Sequence, residues 1–312
     1  ASHSELAYAY LESEQQEKAI ELLQAWRDKE PAWRWSNGKS PYANWSRYEA
    51  DLNLAMVRAY SGDLVTAQHD LESMVDIAAG NGGLQSALGS VYMMRGWPRR
   101  ALQRQQVAHA LDPRDIEPRL GMEEAYVALQ RDDLARPLHD DLVARYPTQP
   151  AVERMDQAWR AHRGWQLKAW TDIGRSSGGG GTSPLGNNDR HYGVEVETPI
   201  LDDRWRLFAL ADRRSTDFQD QRIDPLWLGA GVRYRFGQLD AEAAVLRAND
   251  HIGDTGLRAG VGWQFNDYWH AGLVAARNDP DASMQARAAG ITADSVSAQV
   301  DYRRSELTHW TF

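Results

Sequence analysis

Between Leu226 and Phe236 the chain alternates without a break: Leu228, Ala230, Val232, Tyr234 and Phe236 fall on one side, Trp227, Gly229, Gly231, Arg233 and Arg235 on the other. Period two with one apolar and one polar face predicts a β-strand. After Gly237-Gln238 the pattern resumes with Leu239, Ala241, Ala243 and Val245 opposite Asp240, Glu242 and Ala244. It returns once more with Leu257, Ala259, Val261, Trp263 and Phe265 opposite Gly256, Arg258, Gly260, Gly262 and Gln264. Strands are predicted near residues 165–173, 191–200, 204–213, 226–236, 239–248, 256–265, 268–277 and 295–304. Long connections (174–190, 214–225, 249–255, 278–294) alternate with short ones (Leu201-Asp202-Asp203, Gly237-Gln238, Asn266-Asp267). Aromatic residues gather at strand ends. Together these features predict an antiparallel transmembrane β-barrel with short turns at one rim and long loops at the other. Many inward positions are Gly or Ala, and Leu307 to Phe312 reads as the start of another strand. The expected wall is therefore about half of a barrel of roughly 16 strands, a size that opens an aqueous lumen; a complete small barrel ending at Phe312 is the alternative.

The first half has a different period. Ala67, Ala101 and Ala135 recur at one constant spacing, and the same spacing separates Pro113 from Pro147 and Tyr92 from Tyr126. Small residues at those points let two helices cross closely, and the proline ends the second helix. With Gly89-x-x-Tyr92, Ala101 and Pro113 this closely resembles the 34-residue tetratricopeptide repeat. The fold class is thus α + β with two domains, a tetratricopeptide α-solenoid followed by the barrel. The expected boundaries are 1–150 for a periplasmic repeat domain, 151–164 for a linker helix and 165–312 for an incomplete outer-membrane barrel. From Ala19 to Ala67 is one period plus an insertion, which falls in Trp33 to Trp45 (WRWSNGKSPYANW). Two readings of this loop stand: a cap with buried tryptophans, or a carbohydrate-stacking platform of Trp33, Trp35 and Trp45. Asn44-Trp45-Ser46 also fits a glycosylation acceptor, a weak signal in a bacterial chain. On the repeat frame the concave positions carry Tyr8, Glu49, Tyr60, Glu117 and Glu124. Carboxylates and tyrosines there suit a cationic or hydroxyl-rich ligand, unless each is merely a solvated helix residue.

Composition sharpens the picture. A net charge of −9 argues against a nucleic-acid partner. The absence of cysteine in 312 residues suits an oxidising compartment without requiring one. No apolar run is long enough for a membrane helix, which leaves barrel strands open. Thirteen tryptophans and 12 tyrosines against 5 phenylalanines favour amphipathic aromatics, fit for membrane girdles or sugar platforms. The opening ASHSELAYAY lacks the basic start and apolar core of a signal peptide and reads as a processed or cut end. Catalytic signals are weak. His139-Asp140-Asp141 has no second cluster to complete a metal site, no nucleophile elbow or HExxH occurs, and Gly178 to Gly181 lacks the Lys-Ser/Thr of a phosphate loop and reads as a flexible surface loop. No catalytic residue, metal or cofactor is expected.

A repeat solenoid running directly into an outer-membrane barrel is an unusual pairing. With the segments WRDKEPAWRW, SPYANWSRYEADLNLAMVRAYSGDLVTAQ and WPRRALQRQQVAHALDP it resembles the PgaA family of outer-membrane porins that export poly-β-1,6-N-acetyl-D-glucosamine. The resemblance implies location in the bacterial outer membrane with the repeats in the periplasm, and partners in the partly de-N-acetylated polymer, its periplasmic deacetylase and membrane lipid. Scattered protonated amines on such a polymer would be guided by Glu and Asp along groove and pore, and weak repeated contacts suit export. The inward set expected to line the pore is Arg206, Arg233, Arg235, Asp240, Glu242 and Arg258, mixed in sign, so Arg–carboxylate pairs stiffening the wall are an equal alternative. The rival to export is a non-conducting, barrel-anchored scaffold for periplasmic proteins; an enzyme at the loop mouth is the weakest reading.

Overall fold

The computed structural model describes residues 2–174, 187–218, 221–250, 252–253 and 255–312. The glycine run at 178–181 lies outside the described residues. The chain divides into two compact units, Ala1–Tyr126 with Ser305–Leu307, and Val127–Arg304 with Thr308–Phe312.

The first unit pairs α1 (His3–Glu12) with α2 (Gln16–Lys29), α3 (Trp45–Tyr60) with α4 (Leu64–Ile77) and α5 (Gly82–Met94) with α6 (Pro98–Leu111), and ends in α7 (Glu117–Ala128). The turns within the pairs close alike. Glu14, Gly62 and Gly96 take φ of 59°, 91° and 77°, and so does Gln130 after α7, at 57°. The N–H groups of Gln15, Asp63 and Trp97 donate to the carbonyls of Tyr10, Arg58 and Tyr92, the left-handed closure that stops a helix and reverses the chain. Ala19, Ala67, Ala101 and Ala135 are fully buried, so the repeat period marks the points where helices touch. Between repeats, Gln105 is 1% exposed and runs between Gly89 of α5 and Gly121 of α7. A Cβ at either glycine would stand 2.7 or 2.5 Å from its amide. That amide accepts from Ser86 Oγ at 2.9 Å and donates to the Ser86 carbonyl at 3.1 Å, and so is not free to move aside.

The insertion after α2 is a hairpin of β1 (Trp33–Ser36) and β2 (Ser40–Ala43) rather than an irregular loop. Asn37 and Gly38 take φ of 51° and 70°, and Lys39 N–H donates to the Ser36 carbonyl at 3.1 Å. An Asn-Gly pair with both residues left-handed is the turn that matches strand twist.

The second unit begins with α8 (Asp132–Arg145) and α9 (Pro150–Arg163) and continues as β3 (Gln166–Gly174), β4 (Asn187–Glu197), β5 (Trp205–Asp217), β6 (Arg222–Ile223), β7 (Leu226–Phe236), β8 (Leu239–Ala248), β9 (Gly256–Gln264), β10 (Trp269–Arg277), α10 (Met284–Ala288), β11 (Ser295–Ser305) and β12 (Thr308–Thr311). The sheet is an antiparallel meander in the order β12-β11-β10-β9-β8-β7-β5-β4-β3, with β6 beside β5. Among the described residues β3 and β12 are not paired with each other, so these strands do not close on themselves. The β4–β5 hairpin reaches further than the hydrophobic pattern predicts. Its outer pairs are polar (Arg190↔Ser215, His191↔Arg214), so backbone pairing continues where the alternation of apolar residues has stopped.

Register keeps the two faces apart. Leu207, Leu228, Val245, Leu257, Val261 and Leu273 are between 47% and 57% exposed, and they lie beside one another across strands, as in Val245↔Leu257 and Val261↔Leu273. On the opposite face Phe208, Trp227, Ala244 and Leu246 are buried together. An apolar face left open and a second face packed or charged is the reverse of a soluble sheet and fits a wall against lipid. At the rim of the short turns, Trp205 pairs with Tyr234 and Trp269 with Tyr302, with ring centroids 4.6 and 4.5 Å apart. Such aromatics fit the girdle at a membrane interface.

Candidate functional site

Of the five concave positions expected in the repeats, the fold brings three together, Tyr8, Tyr60 and Glu117. Tyr8 of α1 and Tyr60 at the end of α3 bring their rings to 6.4 Å. Desolvation, and then the neighbouring Tyr60, raise the Tyr8 phenol above its ordinary value. Desolvation, and then the Glu117 carboxylate, raise Tyr60 likewise, which puts Glu117 within electrostatic reach. Glu124 of α7 is exposed to solvent, yet the protein around it desolvates its carboxyl and raises it above its ordinary value. Glu49 is exposed on α3.

The hairpin tryptophans are open: Trp33, Trp35 and Trp45 are 59%, 62% and 66% exposed. The buried-cap reading of this insertion does not describe them. Trp45, the first residue of α3, stacks on Tyr48 at 4.8 Å and 29°.

The inner face of the sheet carries a ladder of charge. Arg233 of β7 donates to Glu242 of β8 at 2.7 Å, to both oxygens of Glu195 of β4 at 2.7 and 2.9 Å, and to Glu197. Its guanidinium lies 4.2 Å from the Phe208 ring. Lys168 of β3 joins Glu195 at 3.1 Å and Glu197 at 2.5 Å, and Arg258 of β9 stands 3.8 Å from Glu242. Lys168, Glu195 and Glu197 are members of the ladder that the sequence pattern did not single out, although Glu195 and Glu197 alternate with Val194 and Val196. Of the expected pore-lining set, Arg233 and Glu242 are thus paired into the wall, while Asp240 and Arg258 remain 40% and 42% exposed. Arg235 stands across from Asp240 in register. Arg206 is 8% exposed and donates to the carbonyls of Gly164 (2.9 Å), Thr198 (2.5 Å) and His162; it ties the start of the sheet to α9.

That joint continues outward. Asp132 of α8 holds His162 at 3.0 Å and Arg163 at 3.1 Å, and Arg163 and Arg136 both donate to Asp203 in the β4–β5 turn. The guanidinium groups of Arg131 and Arg204 lie over the Phe236 ring at 4.9 and 4.7 Å. Beside it opens a pocket of about 590 Å³ whose lining includes Gln130, Asp132, His162, Lys168, Arg206 and Arg235. At the other rim, the β10–β11 connection folds back over the inner face. Arg287 of α10 is 3% exposed, binds both oxygens of Asp250 at 2.5 and 2.6 Å, and lies 4.5 Å over the fully buried Trp227 ring. Asp281 reaches Arg214 of β5, and Gln221 donates to the Ala288 carbonyl at 3.0 Å. In sequence this segment reads only as a long connection. Among the described residues no His, Asp or Glu group has the grouping of a metal site; His139 is held by Asp140 and Asp156 at 3.0 and 3.2 Å.

These features define a tetratricopeptide-repeat protein joined to an antiparallel membrane β-barrel wall. Residues 161–312 match the PgaA membrane beta barrel domain. The chain is 30% identical over 319 residues to the poly-beta-1,6-N-acetyl-D-glucosamine export protein of Escherichia coli (strain K12), and equally so to that of Escherichia coli O157:H7. The match takes in 99% of this chain and 39% of each relative, so the chain spans about two fifths of their length. Among solved structures it is similar to a tetratricopeptide repeat protein from Parabacteroides merdae ATCC 43184, with 20% identity, 52% and 59% of the two chains covered and a TM-score of 0.38. A bacterial polysaccharide outer membrane secretin matches at 26% identity, covering 46% and 47%, with a TM-score of 0.37.

Proposed function

We propose that this chain is the repeat-to-barrel portion of an outer-membrane porin that exports partly de-N-acetylated poly-β-1,6-N-acetyl-D-glucosamine for a biofilm matrix. The observation that carries the reading is the two-faced wall, with an open apolar face for lipid and a charged face for a lumen, directly after helical repeats. The name of the Escherichia coli relatives supplies the cargo. In this reading the repeats lie in the periplasm, near the deacetylase that prepares the polymer. Tyr8, Glu49, Tyr60, Glu117 and Glu124 hold its amines and hydroxyls through weak contacts. Asp240, Arg235 and Arg258 face the lumen, and further strands pair with the open edges of β3 and β12 to complete the wall. Glu124 suits a cationic ligand because an approaching ammonium relieves its desolvated charge.

The test is secretion by the full-length protein with Glu49, Glu117 and Glu124 replaced together by Gln. Polymer release and binding of a glucosamine oligomer both fall if the reading holds; unchanged release and unchanged binding overturn it. The alternative of a non-conducting scaffold draws on the α10 segment and the Phe208–Trp227 cluster, which occupy part of the inner face. Absence of conductance in single-channel recordings of the full-length protein, even after that segment is deleted, would favour it.

A further inference from the structure

The hairpin between α2 and α3 is an addition to the repeat, and its shape is held from below. Asn44, 4% exposed, donates through Nδ2 to Glu30 Oε2 and to the Pro31 carbonyl, both at 2.8 Å, and through its backbone N–H to Ala32 at 3.2 Å. Arg34 reaches Glu30 at 2.9 Å, and Arg47 donates to the carbonyls of Arg27 and Glu30, each at 3.1 Å. With the Asn37-Gly38 turn at its tip, the insertion is fixed at both ends.

What this fixed element presents is aromatic. Trp33 and Trp35 share one face of β1, roughly 6.5 Å apart along the strand. Their cross-strand partners are the small Ala43 and Pro41, which leave the indoles uncovered. Trp45 lies just beyond Ala43 and opens α3. Along α3, Glu49 follows Trp45 by about one helical turn and Tyr60 follows Glu49 by about three, so the three lie along one face. The tryptophans therefore stand at the head of the row that runs through Glu49 to the Tyr8–Tyr60 pair.

Resting on the export reading above, we propose that Trp33, Trp35 and Trp45 form a stacking platform on which successive pyranose rings of an aminosugar polymer lie before passing along the Glu49–Tyr60 face of α3. A β-linked pyranose turns a C–H face toward a neighbouring surface, and the electron-rich face of an indole is its complement. A protonated glucosamine amine is attracted to the same ring face and to the carboxylate beyond it. Beside the indoles, Ser36, Asn37 and Ser40 supply polar groups suited to sugar hydroxyls and amides. Exposed tryptophans grouped in this way on a helical-repeat unit mark a binding surface.

The experiment titrates the full-length protein in detergent with a partly N-acetylated β-1,6-glucosamine hexamer by calorimetry. Trp33→Ala and Trp35→Ala each weaken binding roughly three- to tenfold, and Trp35→Tyr retains most of the affinity. These side chains are exposed, so thermal unfolding of the variants matches the parent. Unchanged affinity in the Trp33→Ala/Trp35→Ala double variant, with affinity lost when Glu49, Glu117 and Glu124 become Gln, overturns the platform and leaves the groove standing. A parent protein that does not bind the hexamer overturns both. Unchanged hexamer affinity with loss of a co-purifying periplasmic protein gives the hairpin to a protein contact and likewise overturns the platform.

Discussion

At the scale of single residues, arginine holds much of the second unit together, and it does so where apolar packing is thin. Arg206 is spent on three carbonyls, Arg163 joins α9 to both Asp132 and Asp203, and Arg136 meets the same Asp203. Desolvation works to raise the Asp203 carboxyl, but the hydrogen bonds from Arg136 and Arg163 outweigh it and hold the group below the ordinary range. A depressed folded value stabilises the protein above the unfolded pKa of about 3.9 and loses that contribution as pH falls through the folded value. Asp203→Asn should therefore cost about 2 kcal/mol at pH 7 and flatten the fall in stability below about pH 4. Urea unfolding of the refolded protein across that range measures both effects. An unaltered acid profile in the variant would show that the joint does not depend on this carboxylate. Sequence could not announce this joint, because Asp132, Arg136, Arg163 and Asp203 belong to no common period.

At the scale of elements, legibility follows how local the signal is. The β7–β8 hairpin is readable to the residue, since alternation and a short turn with Gly237 at φ of 62° specify it together. The repeat helices are readable because the buried alanines recur at the repeat period. The β1–β2 hairpin escapes notice despite its Asn-Gly pair, because both strands are short and exposed on each face. The place of α10 is not readable either, since it rests on Asp250 and Trp227, both far from Arg287 along the chain. The guanidinium there is buried, bidentate and stacked on an indole, so its removal leaves Asp250 unpaired. Arg287→Ala should loosen the connection from the inner face and raise the conductance of the full-length protein. Single-channel recording tests this; conductance equal to that of the parent would mean the segment does not obstruct the lumen.

At the scale of the whole molecule, each half is organised by its own period. The helical repeat packs its elements around fully buried alanines, and the alternation of the wall sends aliphatic side chains one way and ions the other. Of the candidate site, residue types and faces are legible in the sequence, while pairing is not. Arg233 and Glu242 are bound to each other, and Arg233 also to Glu195 and Glu197, because separate strands must converge before such a ladder exists. The central claim is that the apolar face of this sheet meets lipid and the charged face meets water. This chain has no native cysteine, so in a full-length protein freed of any cysteine elsewhere, single cysteines introduced along β7 can be read one at a time. In membranes containing the full-length protein, Arg233→Cys and Arg235→Cys should react with a water-soluble maleimide, whereas Leu228→Cys, Val232→Cys and Tyr234→Cys should be shielded from it and respond to a lipid-dissolved quencher. Reactivity that does not alternate along the strand, with no position sensing lipid, would contradict the account.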